Sequence, residues 1–338
     1  MRFLTAYFSI QEGKEVILTG SSRMKERPIK ILVEALNQLG AEITYEENEG
    51  FPPIRIKGKK LTQNKVSLPA NISSQYISAL LLIAPKLENG LELTLEGEIT
   101  SIPYINMTLA LLNEIGVTTS FEKNKIKIQH LAVVPPSGVR GLIESDWSSA
   151  SYWYSIIALS EIGTQITLSN YKKNSLQGDA ALVEIYKSFG VETVFDNNSI
   201  ILHKVNNLKP ETLNLKLNNS PDIAQTIAVT CFGLGIGCHL TGLHTLKIKE
   251  TDRLEALKTE LSKFGANISV TENSLTLQPS EKIIENVSVK TYQDHRMAMA
   301  FAPLALKVPI TIQNAEVVSK SYPTFWEDLK NFGFQIAE

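Results

Sequence analysis

Residues 246–270, LKIKETDRLEALKTELSKFGANISV, decide how the rest of the chain is read. Leu254, Leu257, Leu261 and Phe264 recur at i, i+3, i+7 and i+10, the apolar stripe of an amphipathic helix. Asp252 with Glu255 three residues on has the form of a capping box, and Gly265 stands where the helix should stop. Lys249 and Arg253 flank the positive end of that helix's dipole, where cations are mildly unfavourable. Free N–H groups at a helix start already favour anions. Two cations there fit either an exposed charged cap or a docked anion.

The same pattern of amphipathic helix, glycine and strand occurs five times. The segments are LVEALNQLGAEITYEE, LALLNEIGVTTSFEK, LVEIYKSFGVETVFDN, LKTELSKFGANISVTE and FWEDLKNFGFQIAE. Their glycines, Gly40, Gly116, Gly190, Gly265 and Gly333, are spaced by 76, 74, 75 and 68 residues. In the first four, a second short strand follows: IRIKG, KIKIQ, SIILHK and SLTLQP. A second set of helices begins near Met1, Ser74, Ser149, Asp222 and His295, with apolar bodies such as YISALLLIA and IAQTIAVTCFGLG that should be buried. Each unit reads as strand, buried helix, strand, outer helix, strand, strand. Such regular spacing marks internal duplication. The chain holds about four and a half such units and opens on a buried helix.

Length and composition agree. A chain of 338 residues with 43% hydrophobic and 20% charged residues suits two folded domains. The run Pro135-Pro136-Ser137-Gly138 puts the junction near residue 143, giving lobes 1–143 and 144–338. A net charge of −2 argues against a protein that holds nucleic acid by bulk electrostatics. Cys231 and Cys238 are too few for a disulfide framework, and no His/Cys cluster has metal-ligand spacing. The opening MRFLTAYFSI is too short an apolar run for a signal peptide, and nowhere do 18 apolar residues run uninterrupted. The setting expected is the cytoplasm, with no membrane partner.

Cations gather at equivalent helix starts. Arg2 opens the first helix, and Arg23, Lys25 and Arg27 precede Pro28, a residue favoured in a first helical turn. His295 and Arg296 follow Asp294, a candidate N-cap, and Lys320 lies just before the capping-box pattern Thr324-x-x-Glu327. Ser73, Ser74 and Gln75 give the same location a neutral form, with hydroxyls suited to phosphate oxygens. One such start could be a solvated cap, but repetition at one topological position favours an anion-filled cleft. Two cations about 8 Å apart at an effective dielectric of about 20 repel by roughly 2 kcal/mol. Four converging cations would repel by about 12 kcal/mol before screening by water, so two lobes are expected to close only when anionic ligands occupy the gap. Asp222 heads a buried helix and is equally readable as an N-cap or as a site acid, and Glu250 lies between Lys249 and Arg253. Lys25, Lys30 and Asp146 read as solvated or capping residues. The absence of GxGxxG and GxxxxGK[ST] argues against a nucleotide.

At these residues a family becomes recognisable. Arg23-Met24-Lys25-Glu26-Arg27-Pro28, Ser73-Ser74-Gln75, Lys249-Glu250-Thr251-Asp252-Arg253 and Asp294-His295-Arg296-Met297-Ala298-Met299 together resemble the 5-enolpyruvylshikimate-3-phosphate synthase (3-phosphoshikimate 1-carboxyvinyltransferase) family. The resemblance runs along the whole chain. It implies an α/β fold of two lobes, an inside-out α/β barrel built from duplicated βαβαββ units, with the first lobe incomplete here. It also implies transfer of the enolpyruvyl group of phosphoenolpyruvate to the 5-hydroxyl of shikimate 3-phosphate, without a cofactor. Carried over position by position, Ser73, Ser74, Ser101 and Tyr104 are ligands of shikimate 3-phosphate, and Gln75 reaches both substrates. Arg23, Arg253, Arg296 and Lys320, with His295 beside them, form the phosphoenolpyruvate clamp. Asp222 is the base for the 5-hydroxyl, Lys249 binds the same substrate, and Glu250 protonates the methylene carbon.

Two departures stand out. Thr245 replaces an asparagine common in the family. Family members also carry about one more unit before this start, including a lysine-serine loop, which leads to the expectation of a start at an internal Met or a truncated form. Two other readings stay open. One is the related transferase acting on UDP-N-acetylglucosamine. The other is a catalytically impaired fragment that still binds phosphorylated anions. The chain is expected to act as a monomer.

Overall fold

The computed structural model describes residues 1–70, 74–97, 99–131, 143–208 and 210–337. The junction signal at residues 135–138 lies outside them. The chain forms two compact units, Met1–Gly141 and Leu142–Glu338.

The first unit opens with α1 (Arg2–Ser9), β1 (Glu15–Leu18), a short α2 (Ser22–Lys25), α3 (Lys30–Gln38), β2 (Glu42–Tyr45) and β3 (Ile54–Lys57). Strand β3 lies between β1 and β2, antiparallel to both. A full repeat follows: β4 (Lys65–Pro69), α4 (Ser74–Ile83), β5 (Leu91–Glu96), α5 (Ile102–Glu114), β6 (Thr119–Glu122) and β7 (Lys125–Ile128). Its sheet runs β4-β5-β7-β6, with β4 and β5 parallel across the α4 crossover and β6–β7 an antiparallel hairpin.

The second unit contains α6 (Trp147–Leu159), β8 (Gln165–Ser169), α7 (Leu182–Ile185, flanked by 3-10 turns), β9 (Val191–Asp196) and β10 (Ser199–Lys204). Another full repeat comprises β11 (Thr212–Lys216), α8 (Ala224–Leu234), β12 (Gly237–Thr241), α9 (Arg253–Lys263), β13 (Ile268–Val270) and β14 (Ser274–Leu277). It reproduces the first full repeat strand for strand, in the order β11-β12-β14-β13. The chain closes with β15 (Val287–Val289), α10 (His295–Phe301), β16 (Ile310–Ile312) and α11 (Phe325–Phe332), β15 pairing parallel with β16.

Within the second unit α6, α8 and α10 pack on one another, and every residue of α8 is buried. A helix apolar all round has to sit inside, so the sheets lie outside, alternating buried and half-buried side chains as in β10 and β14. The duplication is visible in this core. The Ser151 and Thr226 hydroxyls lie 3.0 Å apart, and Thr230 donates to Ser155 at 2.8 Å; each pair is 75 residues apart in the chain. Equivalent positions of neighbouring repeats thus face each other. Small hydroxyl residues let the helices approach while satisfying one another's polar atoms.

The five repeat glycines follow their helices with φ of 103°, 89°, 74°, 95° and 115°, the left-handed conformation that closes a helix at low cost only for glycine. Their surroundings differ. A Cβ at Gly116 meets open space, whereas one at Gly190 falls 2.1 Å from the Asn206 carbonyl oxygen. Gly116→Ala is expected to cost about 1 kcal/mol from backbone strain alone. Gly190→Ala should cost about 3 kcal/mol or more, because strain and overlap add. Denaturant midpoints of the two variants would show the difference.

Three local expectations are corrected. Residues 334–337 form no strand: the two-stranded sheet of β15 and β16 brings no partner to them, and an isolated strand leaves its ladder unpaired. Pro28 does not occupy a first helical turn, since α3 begins at Lys30 after Ile29, while Arg23 and Lys25 lie inside α2. The pattern Thr324-x-x-Glu327 makes no capping box. The Thr324 hydroxyl donates instead to Asp328, one turn on, at 2.9 Å. Among the described residues no helix is long and apolar enough to cross a membrane, and no group of His, Cys, Asp and Glu could hold a metal ion.

Candidate active site

In the second unit the starts of α6, α8, α9 and α10 supply one cluster of charged side chains. Asp252 caps α9, accepting from the Leu254 and Glu255 N–H groups, and so fixes Arg253 as the first residue of that helix. Asp294 caps α10 by accepting from the Arg296 N–H. Asp146 caps α6 through the Ser148 N–H. These three caps were legible as sequence.

Asp222 is not a cap. It sits in the 3-10 turn Pro221–Ile223 ahead of α8, which has no side-chain cap, and its carboxylate turns to cations. Lys249 Nζ approaches at 3.2 Å, Arg253 Nη1 donates at 2.9 Å and Arg296 Nη2 lies 3.6 Å away. Burial works to raise its pKa. Lys249, Arg296 and Arg253 overcome that and hold the carboxyl well below the usual carboxylate range.

Arg253 is only 1% exposed. Its Nε donates to Asp294 at 2.6 Å, its Nη1 to Asp222 at 2.9 Å and its Nη2 to Glu250 at 2.7 Å. The counter-charge demanded by converging cations is therefore carried here by the protein's own carboxylates, interleaved with the cations. The three partners are not equivalent. Asp294 is wholly buried, whereas Asp222 and Glu250 keep about a quarter of their side chains exposed (24% and 23%). Only the Nη end of Arg253 can exchange partners with a ligand.

Arg296 extends the cluster toward α6, its Nη2 donating to Ser148 Oγ at 3.3 Å. The His295 ring is mostly buried and its Nδ1 has no hydrogen-bond partner among the described residues. Burial, then the neighbouring Arg296 charge, lowers its basicity. Lys320 reaches the same neighbourhood from the end of a 3-10 turn, its Nζ donating to the Gln293 carbonyl, just before Asp294, at 2.7 Å. That carbonyl is presented by two successive left-handed residues, Tyr292 and Gln293. Buried Glu260 steadies the segment through the Tyr292 hydroxyl at 2.7 Å and the Lys290 N–H at 3.0 Å.

In the first unit, the Arg2 guanidinium donates to Gln75 Oε1 at 2.5 Å and lies 4.7 Å from the centre of the Tyr76 ring. The starts of α1 and α4 are thereby joined. The Tyr76 hydroxyl donates to the Pro28 carbonyl, which fixes the segment after α2. Ser74 is the first residue of α4, and Ser73 lies outside the described residues. Ser101, at φ 55°, precedes α5, whose first turn carries Tyr104; α5 is tied to α4 by the Ser78–Thr108 hydroxyl pair at 2.9 Å. Arg23, on α2, pairs with Glu26 at 2.7 Å on the surface.

Against this geometry, the family model of EPSP synthase (3-phosphoshikimate 1-carboxyvinyltransferase) matches residues 1–329. The chain belongs to the EPSP synthase family. A 3-phosphoshikimate 1-carboxyvinyltransferase of Bacteroides fragilis is 48% identical over 342 residues, covering 99% of this chain and 82% of that protein. One of Haemophilus influenzae is 37% identical over 338 residues, covering 98% and 76%. The fold is also that of an EPSP synthase structure from Acinetobacter baumannii (TM-score 0.77, 23% identity, 98% of this chain and 76% of that one). The enolpyruvyl transferase NikO from Streptomyces tendae superposes less closely (TM-score 0.67, 15% identity, 96% and 74%). The fold of the EPSP synthase family is thus shared throughout, as an α/β fold of two domains.

Two residues of this EPSP synthase family member escaped the sequence reading. Ser148 and Asp179 lie beneath Arg296, Ser148 Oγ donating to Asp179 Oδ2. Asp179 sits in SLQGDAA, which reads as a polar loop, and nothing in its neighbours signals burial.

Proposed function

We propose that this chain transfers the enolpyruvyl group of phosphoenolpyruvate to the 5-hydroxyl of shikimate 3-phosphate, releasing phosphate. Family membership supports the reaction class. The observation that carries the site assignment is the Asp222 carboxylate held among Lys249, Arg253 and Arg296, with Glu250 on the same guanidinium.

The chemistry suits that set. The 5-hydroxyl oxygen attacks C2 of phosphoenolpyruvate and its proton passes to Asp222, while Glu250 delivers a proton to C3. The C2–O bond to phosphate then breaks, phosphate leaves with the electron pair and takes up the proton held on Asp222, and C3 returns a proton to Glu250. Arg253, Arg296 and Lys320 are assigned to the carboxylate and phosphate of phosphoenolpyruvate, which suit guanidinium forks and point charges. His295 is assigned to the same ligand, and Lys249 to the acceptor. Ser73, Ser74, Gln75, Ser101 and Tyr104 are assigned to shikimate 3-phosphate. No electron carrier is needed, since no net oxidation occurs. We place the enzyme in the cytoplasm as a monomer.

A carboxylate clamped by three cations is a weak base. The substrates remove that obstacle, because the anionic groups of phosphoenolpyruvate compete for Arg296 and Arg253 while the acceptor draws Lys249. As these turn to the ligand, burial dominates and Asp222 gains basicity. The base is thus released by the substrate it serves.

Turnover followed by proton NMR in D2O tests the scheme. Deuterium is expected at the C3 methylene only when shikimate 3-phosphate is present, more slowly in Glu250→Gln. Product formed with a fully protonated methylene would contradict the step assigned to Glu250.

A further inference from the structure

We propose that Asp179 is a positioning residue for this reaction: through the Ser148 hydroxyl it holds the Arg296 guanidinium where phosphoenolpyruvate is bound. The inference rests on the function proposed above. Three elements meet to form the relay. Asp179 lies in the 3-10 turn Gly178–Ala181, Ser148 on the first turn of α6 and Arg296 on the first turn of α10. Ser148 Oγ donates to Asp179 Oδ2, and its lone pairs are left to accept from Arg296 Nη2 at 3.3 Å. A hydroxyl that donates to a carboxylate becomes a better acceptor, so the negative charge of Asp179 is felt at the guanidinium.

The setting is hard to explain as packing. Asp179 is 1% exposed, and its Oδ1 has no partner among the described residues. A carboxylate buried this way is costly unless a cation repays it. Arg296, its own side chain only 14% exposed, is that cation. Its charge is shared with Asp222, which faces the site and has a second task. When phosphoenolpyruvate draws Arg296 away from Asp222, Asp179 remains as the fixed counter-charge and keeps the guanidinium from swinging out.

Asp179 also titrates in a useful range. Burial first, then the Asp222 charge, pushes its carboxyl up to about 6, with Asp146 adding to that, while Arg296 and the Ser148 hydrogen bond oppose it. Those are the groups facing it: Asp146 from the α6 cap, Asp222 from the turn before α8, and Arg296 from α10. Protonation as pH falls through about 6 would remove the counter-charge and loosen Arg296.

The test compares wild type with Asp179→Asn between pH 5 and 8, reading kcat, the KM for phosphoenolpyruvate, and its Kd by calorimetry with shikimate 3-phosphate present. Loss of one charge-assisted contact corresponds to about a tenfold rise in KM and Kd at pH 8. The kcat should stay within about threefold, because uniform binding is what is lost. The variant-to-wild-type KM ratio should shrink toward about one near pH 5, where wild-type Asp179 is itself neutral. Using the ratio cancels the titration of the substrate phosphates. A ratio independent of pH, or a fall in kcat with KM unchanged, would overturn the relay. If wild type binds phosphoenolpyruvate but does not turn over, the proposed function fails, and the Kd ratio still decides the relay. Should Asp179→Asn not fold, Ser148→Ala breaks the same relay and should raise KM to a similar extent; an unchanged KM there would overturn it.

Discussion

Asp222→Asn is expected to lower kcat by about 10²- to 10⁴-fold, the range associated with loss of a positioned general base. The KM for phosphoenolpyruvate should stay level or fall. Both directions follow from the geometry. The amide keeps the shape of the carboxylate but cannot take the proton of the 5-hydroxyl. It also stops competing with the ligand for Lys249, Arg253 and Arg296, which now hold Asp222 at 3.2 Å, 2.9 Å and 3.6 Å. Steady-state kinetics with both substrates varied separates the two effects. A raised KM with normal kcat would make Asp222 a structural counter-ion and no more.

Arg253→Ala should be the most damaging single change to stability in the second unit. Among the described residues the side chain is the one lysine or arginine paired with wholly buried Asp294, and it also neutralises Asp222 and Glu250. Removing one member of a buried ion pair costs about 3–5 kcal/mol, because the remaining charge is left without compensation. In a domain near 200 residues that corresponds to a fall in Tm on the order of 10 °C. Calorimetry should assign the loss to the transition of the second unit. Adding Asp294→Asn should recover part of it, since the orphaned carboxylate is then neutral. A shift under about 2 °C would mean that water or Arg296 takes over the role.

The legible and illegible parts of the molecule divide by range. Gly40, Gly116, Gly190, Gly265 and Gly333 announced the repeat because each closes a helix with positive φ, a requirement set by its own backbone. Asp252 and Asp294 could be read as caps because the N–H groups they accept from lie two or three residues away. The partners of Arg253 could not be read this way. Asp222 lies 31 residues away and Asp294 lies 41, so the guanidinium looked like an open cation when it is saturated with carboxylates. The relay from Asp179 to Arg296 crosses three elements and left no pattern in the chain. Phe334 to Ala337 had a strand's composition, but a strand also needs a neighbour, and composition does not say whether one is there.

Phosphate release from phosphoenolpyruvate by the purified chain, with and without shikimate 3-phosphate, tests the central assignment most directly. Release that requires shikimate 3-phosphate, and that falls by at least about 10²-fold in Asp222→Asn, is the expected result. No release, or release driven instead by UDP-N-acetylglucosamine, would contradict it.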